Sequence, residues 1–160
     1  MGLIRTELMP DSSEVVPYDH AGIPLYIRAA HLASYYNMCA PCHWHDDVEI
    51  LTVAKGTLQI MVDGRELRGE EGDIFFFNSG QIHQIQGNGF ENDYYSFVFS
   101  MKSLDFREND YTQTTILNPI GDQRWFPQIL LSGEIESGCG GEGSCGVTGW
   151  EGKIIRFWDQ

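Results

Sequence analysis

Short runs of β-branched and aromatic residues, separated by Gly, Asn or Asp, follow one another from about Pro24 to Pro119. Such runs are typical of β-strands, and no apolar pattern with a period of 3.6 residues lasts for three helical turns in this region. Asp63-Gly64 separates two of the runs and suits a type I′ hairpin turn, because both residues tolerate a positive φ. The chain is therefore predicted to be all-β, a sandwich or a barrel.

Several of the predicted strands are apolar on both faces, as in Phe75-Phe76-Phe77. A sheet with one solvated face would instead alternate apolar and polar residues. One face is therefore expected to line the interior, and the other to contact a second sheet, a helix or another chain. A homodimer is expected on this ground.

Composition and charge restrict the class of protein. A chain of 160 residues with 42% apolar and 12% aromatic residues suits one folded domain with a modest appendage. Its formal net charge of -13 would repel phosphate backbones and anionic membrane surfaces, so this chain alone is expected to bind neither. The N-terminus lacks the apolar segment of an export signal, and no run approaches the roughly 20 apolar residues of a membrane span. A soluble, cytoplasmic protein is therefore predicted.

Four cysteines are then expected to be mostly reduced, because the cytosol disfavours structural disulfides. Cys39 to His43 spells C-x-x-C-H, a haem-attachment sequence. We interpret it as a coincidence, because an export signal is missing and His43 fits a second motif better. Cys39 and Cys42 are expected to be a buried, inert pair rather than a redox site. Cys139 and Cys145 are expected to be exposed thiols, since their spacing is outside the usual range for zinc.

The composition divides the chain into four parts. Residues 1–23 are predicted to form an N-terminal arm, and residues 24–131 a barrel. Residues 132–149 are Gly-rich, have little to bury and are predicted to be a flexible linker. Residues 150–160 could begin an amphipathic helix, although this length is too short to be stable in isolation.

Three of the five histidines and one glutamate lie in two short segments, and these residues are the candidate site: His43, His45, Glu49 and His83. His43 and His45 are two residues apart, which puts both imidazoles on one face of a strand. Glu49 would lie roughly 13 Å beyond His45 in a straight strand, too far for one ion to contact both. The turn formers Asp46-Asp47 are therefore expected to reverse the chain and bring Glu49 back on the neighbouring strand. His83 would arrive from a further strand.

These segments resemble the two cupin motifs. The first reads H-x-H-x3-E-x6-G through His43, His45, Glu49 and Gly56, and the second is matched by Gly72, Gly80 and His83. Three positions depart from the motifs. Asn37 stands where the first usually begins with Gly, Asn78 replaces the usual Pro, and Asn88 is one place late for the closing Asn.

Residues 24 to 131 more narrowly resemble the N-terminal sensor cupin of AraC-type transcriptional regulators. The likeness rests on the runs His43–Leu51, Lys55–Leu58, Gly72–Gly80 and Gln81–His83. It implies a double-stranded β-helix, or jelly-roll barrel, followed by a short helical or flexible C-terminal segment. Such regulators read DNA through two downstream helix-turn-helix motifs. DNA contact is therefore expected only through a downstream domain that is missing from this chain.

The resemblance implies an effector-binding sensor, with a small polar metabolite such as a sugar as its ligand. The alternative is a small metal-dependent cupin enzyme, an isomerase or oxygenase, although no additional acid or base can be identified. Three imidazoles and a carboxylate would suit Zn, Mn, Fe or Ni. Without a metal, the same groups would form a hydrogen-bonded cluster of polar side chains at the base of the pocket.

Further residues are candidates for lining the ligand pocket: Trp44, Asp47, Gln81, Tyr95 and Phe97. The aromatic residues could stack on a sugar or an aromatic effector, although aromatic residues in strands more often belong to the core. Asp47 and Gln81 lie close in sequence to the candidate ligands. The acidic run from Arg65 to Asp73 is expected to be a solvated hairpin edge.

Overall fold

The computed structural model describes Ile4 and residues 6–19, 22–105, 111–121 and 129–131. The predicted linker at 132–149, the predicted helix at 150–160 and the two C-terminal cysteines lie outside the described residues. None of the helices within these residues has the length and apolar character that a membrane-spanning helix needs.

Within the described residues, nine strands form two antiparallel sheets that face each other. The strands are β1 (Leu25–His31), β2 (Cys39–His43), β3 (Val48–Lys55), β4 (Thr57–Val62), β5 (Arg65–Glu70), β6 (Ile74–Phe77), β7 (His83–Gly87), β8 (Asp93–Phe99) and β9 (Ile129–Leu131). One sheet has the order β1-β8-β3-β6-β9 and the other the order β2-β7-β4-β5. The all-β prediction, with a cupin barrel as its architecture, is confirmed.

Helical structure among the described residues is limited to short segments. They are the 3₁₀ turns Leu32–Ser34, Tyr36–Met38 and Met101–Leu104, the π-helical turn Gln113–Leu117 and the α-helical turn Asn118–Gly121.

The barrel interior is built by strand alternation. In β4, Leu58, Ile60 and Val62 are fully buried, while the two residues between them are exposed. Successive side chains of a strand point to opposite faces, so every second side chain of each strand fills the space between the sheets. Phe75 and Phe77 of β6 are likewise fully buried in this core.

The β4–β5 hairpin has the predicted turn. Asp63 and Gly64 have φ values of 48° and 79°, which is the left-handed region that a type I′ turn requires at both positions. β5 lies at the edge of its sheet and most of its side chains are exposed, which confirms the predicted solvated edge.

The predicted path from β2 to β3 is wrong in one respect. Asp46 and Asp47 lie in a bend, but they do not return the chain to a neighbouring strand of the same sheet. β2 belongs to the four-stranded sheet and β3 to the five-stranded sheet. The chain therefore crosses the barrel here, and Glu49 faces the histidines from the opposite wall.

The N-terminal arm, residues 6–19, packs beside the end of β2. Ser13 forms a parallel bridge with Trp44, and the Glu14 amide donates to the Trp44 carbonyl at 2.8 Å. The Trp44 amide in turn donates to the Ser12 carbonyl at 3.2 Å. These backbone bonds hold Glu14 next to His43.

The expected buried cysteine pair is also wrong, because Cys42 is exposed and Cys39 only partly buried. Ala40 and His43 point inward, and the register of β2 against β7 shifts between them. Cys42 directly precedes the buried His43 and therefore points outward.

Candidate metal centre

The structure brings the four predicted ligand residues together between the two sheets. One donor atom from each of His43, His45, Glu49 and His83 lies within 4.8 Å of the others, and all four side chains are buried. His43 on β2 pairs directly with His83 on β7. His45 follows β2 in the crossing segment, and Glu49 belongs to β3.

Each histidine is oriented by a backbone carbonyl two residues away. The Nδ1 atoms donate as follows: His43 to Pro41 O at 2.7 Å, His45 to Asp47 O at 2.9 Å, and His83 to Gln81 O at 2.9 Å. Because a carbonyl oxygen only accepts, Nδ1 carries the hydrogen in each ring. The three Nε2 atoms are therefore left to bind an ion, which is the arrangement that fixes metal-binding histidines in proteins.

Glu49 completes the group. Its Oε2 lies 3.1 Å from His45 Nε2 and 3.3 Å from His83 Nε2, while its Oε1 accepts a 2.6 Å hydrogen bond from Ser96 Oγ. Ligand atoms that each lie about 2.1 Å from one ion are about 3.0 to 3.4 Å apart around an octahedral or tetrahedral centre. These two separations therefore suit an ion shared by Glu49, His45 and His83.

The chemistry of the donor atoms also fits a cation. Among the described residues, His83 Nε2 is the buried side-chain nitrogen or oxygen without a hydrogen-bond partner, because its 3.3 Å approach to Glu49 lacks hydrogen-bond geometry. A buried polar atom left without a partner costs free energy. An unprotonated Nε2 facing a carboxylate is repelled unless a proton or a metal ion lies between them. A divalent transition metal would satisfy both atoms.

The pKa values follow from this crowding. Burial raises the pKa of Glu49, but the neighbouring imidazoles of His45 and His83 outweigh burial and hold this pKa well below its usual value. Burial lowers the pKa of His45, but Glu49 outweighs burial and the pKa is raised. Burial also lowers the pKa of His83, and because this effect exceeds the opposing effect of Glu49, the pKa stays below its usual value. In the metal-free protein, His45 therefore takes a proton more readily than His83.

An aromatic ring fixes the position of His83 in addition. Phe77 stacks on the imidazole with 4.4 Å between ring centroids and 4° between planes. Both side chains are almost completely buried. Together with the Nδ1 hydrogen bond, this stacking leaves the ring little freedom to turn its Nε2 atom away.

Two charged residues next to the centre were missed by the sequence analysis. Glu14 Oε2 lies 3.3 Å from His43 Nε2, and Glu14 Oε1 lies 3.6 Å from Arg28 Nη2. Burial raises the pKa of Glu14, but His43 and then Arg28 outweigh burial and lower it. Neither residue belongs to a sequence motif. The contact between the arm and the end of β2 brings Glu14 here, and the alternation of side chains along β1 turns Arg28 inward.

Arg28 is held by two hydroxyl groups. Its Nε donates to Tyr26 Oη at 2.9 Å and its Nη1 donates to Tyr35 Oη at 3.3 Å. With neutral imidazoles, the two carboxylates of Glu14 and Glu49 exceed the one guanidinium by one negative charge. A buried excess charge is costly, and a bound cation would compensate for it.

A small cavity separates the two groups of residues. It is lined in part by Glu14, Arg28, His43, Glu49, Tyr94 and Ser96. The space that the centre of a water molecule can reach is about 10 Å³, enough for about one water molecule. Glu14 is one of the residues that border this small space.

Two of the predicted pocket residues lie on the outer surface. Tyr95 is 48% exposed and Phe97 is 38% exposed, on the outer face of β8. The inward phase of this strand belongs to Tyr94, Ser96 and Val98, and these three line the cavity. The alternation of the strand explains the difference, because neighbouring residues face opposite sides.

The other three predicted pocket residues support the walls without lining the cavity. Trp44 packs under the arm, and its Nε1 donates to the Asp11 carbonyl at 3.1 Å. Asp47 is buried and accepts a 2.8 Å hydrogen bond from the Tyr18 hydroxyl. The Gln81 amide donates to Asp63 at 2.9 Å, which ties the loop before β7 to the hairpin turn.

Comparison with known proteins agrees with this fold. Residues 39–93 match the model of the family described as "Cupin domain". The matched residues contain His43, His45, Glu49 and His83, the four residues of the candidate centre.

A curated relative is described as an uncharacterized HTH-type transcriptional regulator from Bacillus subtilis. It is 27% identical over 100 residues, which cover 56% of this chain. The aligned region spans only 34% of the relative's own length.

Solved structures with a similar fold come from several cupin proteins. A Cupin 2 conserved barrel domain protein from Salinispora arenicola is 18% identical, covers 54% of this chain and 71% of that chain, and has a TM-score of 0.41. A DMSP lyase from Ruegeria pomeroyi is 19% identical over 53% of this chain and 40% of that chain, at a TM-score of 0.39. An oxalate decarboxylase from Bacillus subtilis is 20% identical over 49% of this chain and 22% of that chain, at a TM-score of 0.38. At these sequence identities and TM-scores, the similarity says nothing about a reaction or a ligand of this chain.

Proposed function

We propose that the chain is the effector-binding sensor cupin of an AraC-type transcriptional regulator, and that His43, His45, Glu49 and His83 hold a divalent transition metal at its ligand site. The metal part of the proposal is carried by the grouping of three imidazoles with the buried Glu49 carboxylate, which the Nε2 atoms of His45 and His83 face directly. The similarity of 100 residues to a transcriptional regulator supports the sensor part. Zn, Mn, Fe and Ni all suit this donor set.

The residues of the chain have separate roles in this proposal. A bound ion would supply a Lewis-acid site for an oxygen of the effector. Backbone carbonyls hold the three imidazoles in one tautomer, and Ser96 holds Glu49 by its second oxygen. Glu14 and Arg28 supply charge on the other side of the cavity. Effector binding would then matter for regulation only through a difference in affinity between two states of the protein.

Contact with DNA is proposed to use a helix-turn-helix domain outside residues 1–160, because the net charge of -13 disfavours direct contact. The sensor function is tested by fusing residues 1–160 to a DNA-binding module and measuring occupancy of its operator in the presence of metabolite fractions. An effector-dependent change in occupancy is expected, and His45→Ala should abolish it if the ion is part of the site. Constant occupancy with every fraction would contradict the sensor function.

A metal-dependent enzyme is the second candidate, because the structure has a carboxylate that could act as an acid or base. Glu14 lies within 3.3 Å of His43 and borders the cavity. A general base must lie within hydrogen-bond reach of the proton that it takes. Mass spectrometry of metabolites incubated with the metal-loaded protein separates the two functions. A ligand recovered unchanged supports the sensor, and a product that Glu14→Gln fails to form supports the enzyme.

We propose a homodimer as the functional assembly. Its support is the apolar outer face of the five-stranded sheet, where Ile27, Tyr95 and Phe97 are 48%, 48% and 38% exposed. Ile27 and Phe97 are direct cross-strand partners in β1 and β8. Light scattering should give twice the chain mass for the native protein and the chain mass for Phe97→Glu. A native protein with the mass of one chain would contradict the dimer.

A further inference from the structure

We infer that the barrel binds a small carboxylate anion, that Arg28 is its anchor, and that the Glu14 side chain occupies the position of the ligand's carboxylate in this structure. The inference rests on the proposed function as a ligand-binding barrel and names the chemical class of the ligand. It departs from the sugar that the family resemblance implies.

Arg28 is an inward-facing cation with an incomplete set of partners. Two of its three nitrogens donate to the neutral hydroxyls of Tyr26 and Tyr35. The third, Nη2, faces Glu14 at 3.6 Å, which is an ion pair but longer than a hydrogen bond. A guanidinium binds a carboxylate most strongly through short, paired hydrogen bonds. A free carboxylate can adopt that geometry, whereas Glu14 is restrained by the arm.

Glu14 already shows where such a group fits. Its two oxygens reach in opposite directions, one toward Arg28 and the other toward His43. A single carboxylate therefore spans the distance from the guanidinium to the proposed metal centre. An external carboxylate in the same position would neutralise Arg28 and present its second oxygen to the ion.

The size of the cavity limits the ligand. With Glu14 in place there is room for about one water molecule, so the ligand must displace this side chain to enter. The remaining walls include Ile85, Tyr94 and Val98, which suit a short apolar or hydroxylated chain. A neutral sugar that displaced Glu14 would leave the half-buried guanidinium without a negative partner, which is costly.

Calorimetry on the Zn-loaded 160-residue protein tests the inference with acetate, glycolate and pyruvate, each against its amide. At least one acid should bind at least tenfold more tightly than its amide. Arg28→Gln should weaken binding of that acid at least tenfold, and Arg28→Lys, which retains the charge but loses the paired geometry, should weaken it less. Glu14→Gln should strengthen binding about tenfold, because it removes the competing negative charge.

Glu7→Gln is the matched control, since Glu7 is an exposed glutamate of the same arm and the substitution changes the charge equally. It should leave the affinity unchanged. Circular dichroism and Zn stoichiometry check that each variant is folded and loaded. Amides that bind as tightly as the acids, no binding of any of the acids, or an affinity that is unchanged in Arg28→Gln or in Arg28→Lys would overturn the inference.

Failure of this inference is distinguishable from failure of the proposed function. If a neutral metabolite changes operator occupancy in the fusion while none of the acids binds, the sensor function stands and the carboxylate class is wrong. If an acid binds with the expected pattern of variants but occupancy never changes, the ligand class stands and the sensor function is wrong.

Discussion

Ser96→Ala tests how far the metal centre depends on the residue that holds Glu49. Ser96 Oγ donates a 2.6 Å hydrogen bond to Glu49 Oε1, and both side chains are buried. A hydrogen bond to a charged group contributes about 1.5 to 3 kcal/mol, and its removal here leaves a buried carboxylate oxygen without this donor. The free energy of unfolding of the metal-free protein should therefore fall by about 1.5 to 3 kcal/mol. The affinity for Zn²⁺ should fall about 10- to 100-fold, as for other residues that orient metal ligands.

Urea denaturation and a competition titration with a chelator measure the two effects. Ser13→Ala is the matched control, because Ser13 Oγ donates a 2.7 Å hydrogen bond to Asp11 at an exposed position. The same chemical change there should lower the free energy of unfolding less than Ser96→Ala does and leave metal affinity unchanged. Equal losses of stability in the two variants would refute the reasoning, since burial would then have no effect on the strength of the bond.

The remaining predictions concern the same centre and two turns of the barrel. Zn²⁺ affinity should rise about tenfold per pH unit from pH 5.5 and continue to rise above 6.5, the ordinary pKa of histidine, because a proton on His45 competes with the ion up to its raised pKa. A chelator titration that levels off below pH 6.5 would contradict this. Phe77→Ala should lower the free energy of unfolding by about 3 to 5 kcal/mol and weaken Zn²⁺ binding, because it removes a fully buried ring stacked on His83. Urea denaturation showing a loss under 1 kcal/mol would count against it. Gly56→Ala should be more destabilising than Gly64→Ala in the same assay, because both have positive φ but a Cβ at Gly56 would clash with the Glu91 carbonyl oxygen, whereas a Cβ at Gly64 would meet nothing within 4 Å. Equal losses would contradict it.

The all-β fold could be predicted because its signal is local. Strand runs ended by Gly, Asn or Asp, and the positive φ required at Asp63-Gly64, are properties of neighbouring residues. The spacing of His43 and His45 also predicted that both imidazoles would face one side. The path of the chain at Asp46-Asp47 could not be predicted, because the same turn formers allow either a hairpin or a crossing to the opposite sheet.

The direction of the β8 side chains was ambiguous for a different reason. This strand is apolar on both faces, so alternation alone does not distinguish Tyr94 and Val98 from Tyr95 and Phe97. Ser96, the single small polar residue between them, was a usable signal, because a buried serine needs a polar partner. That partner is Glu49.

Glu14 and Arg28 were beyond prediction from the sequence. Glu14 reaches His43 through backbone hydrogen bonds between the arm and Trp44, which lies 30 residues further along the chain. Arg28 faces inward because of the phase of β1 against β8. Contacts of this kind depend on the assembled barrel and leave no motif.

Metal content tests the central claim most directly. Elemental analysis of the native protein, after dialysis against each of Zn²⁺, Mn²⁺, Fe²⁺ and Ni²⁺, should give about one ion per chain for at least one metal. His45→Ala should lose that ion, whereas His31→Ala, which changes an exposed histidine paired with Asp93, should retain it. A folded native protein that takes up none of the four ions, or a His45→Ala variant that retains its ion fully, would contradict the account.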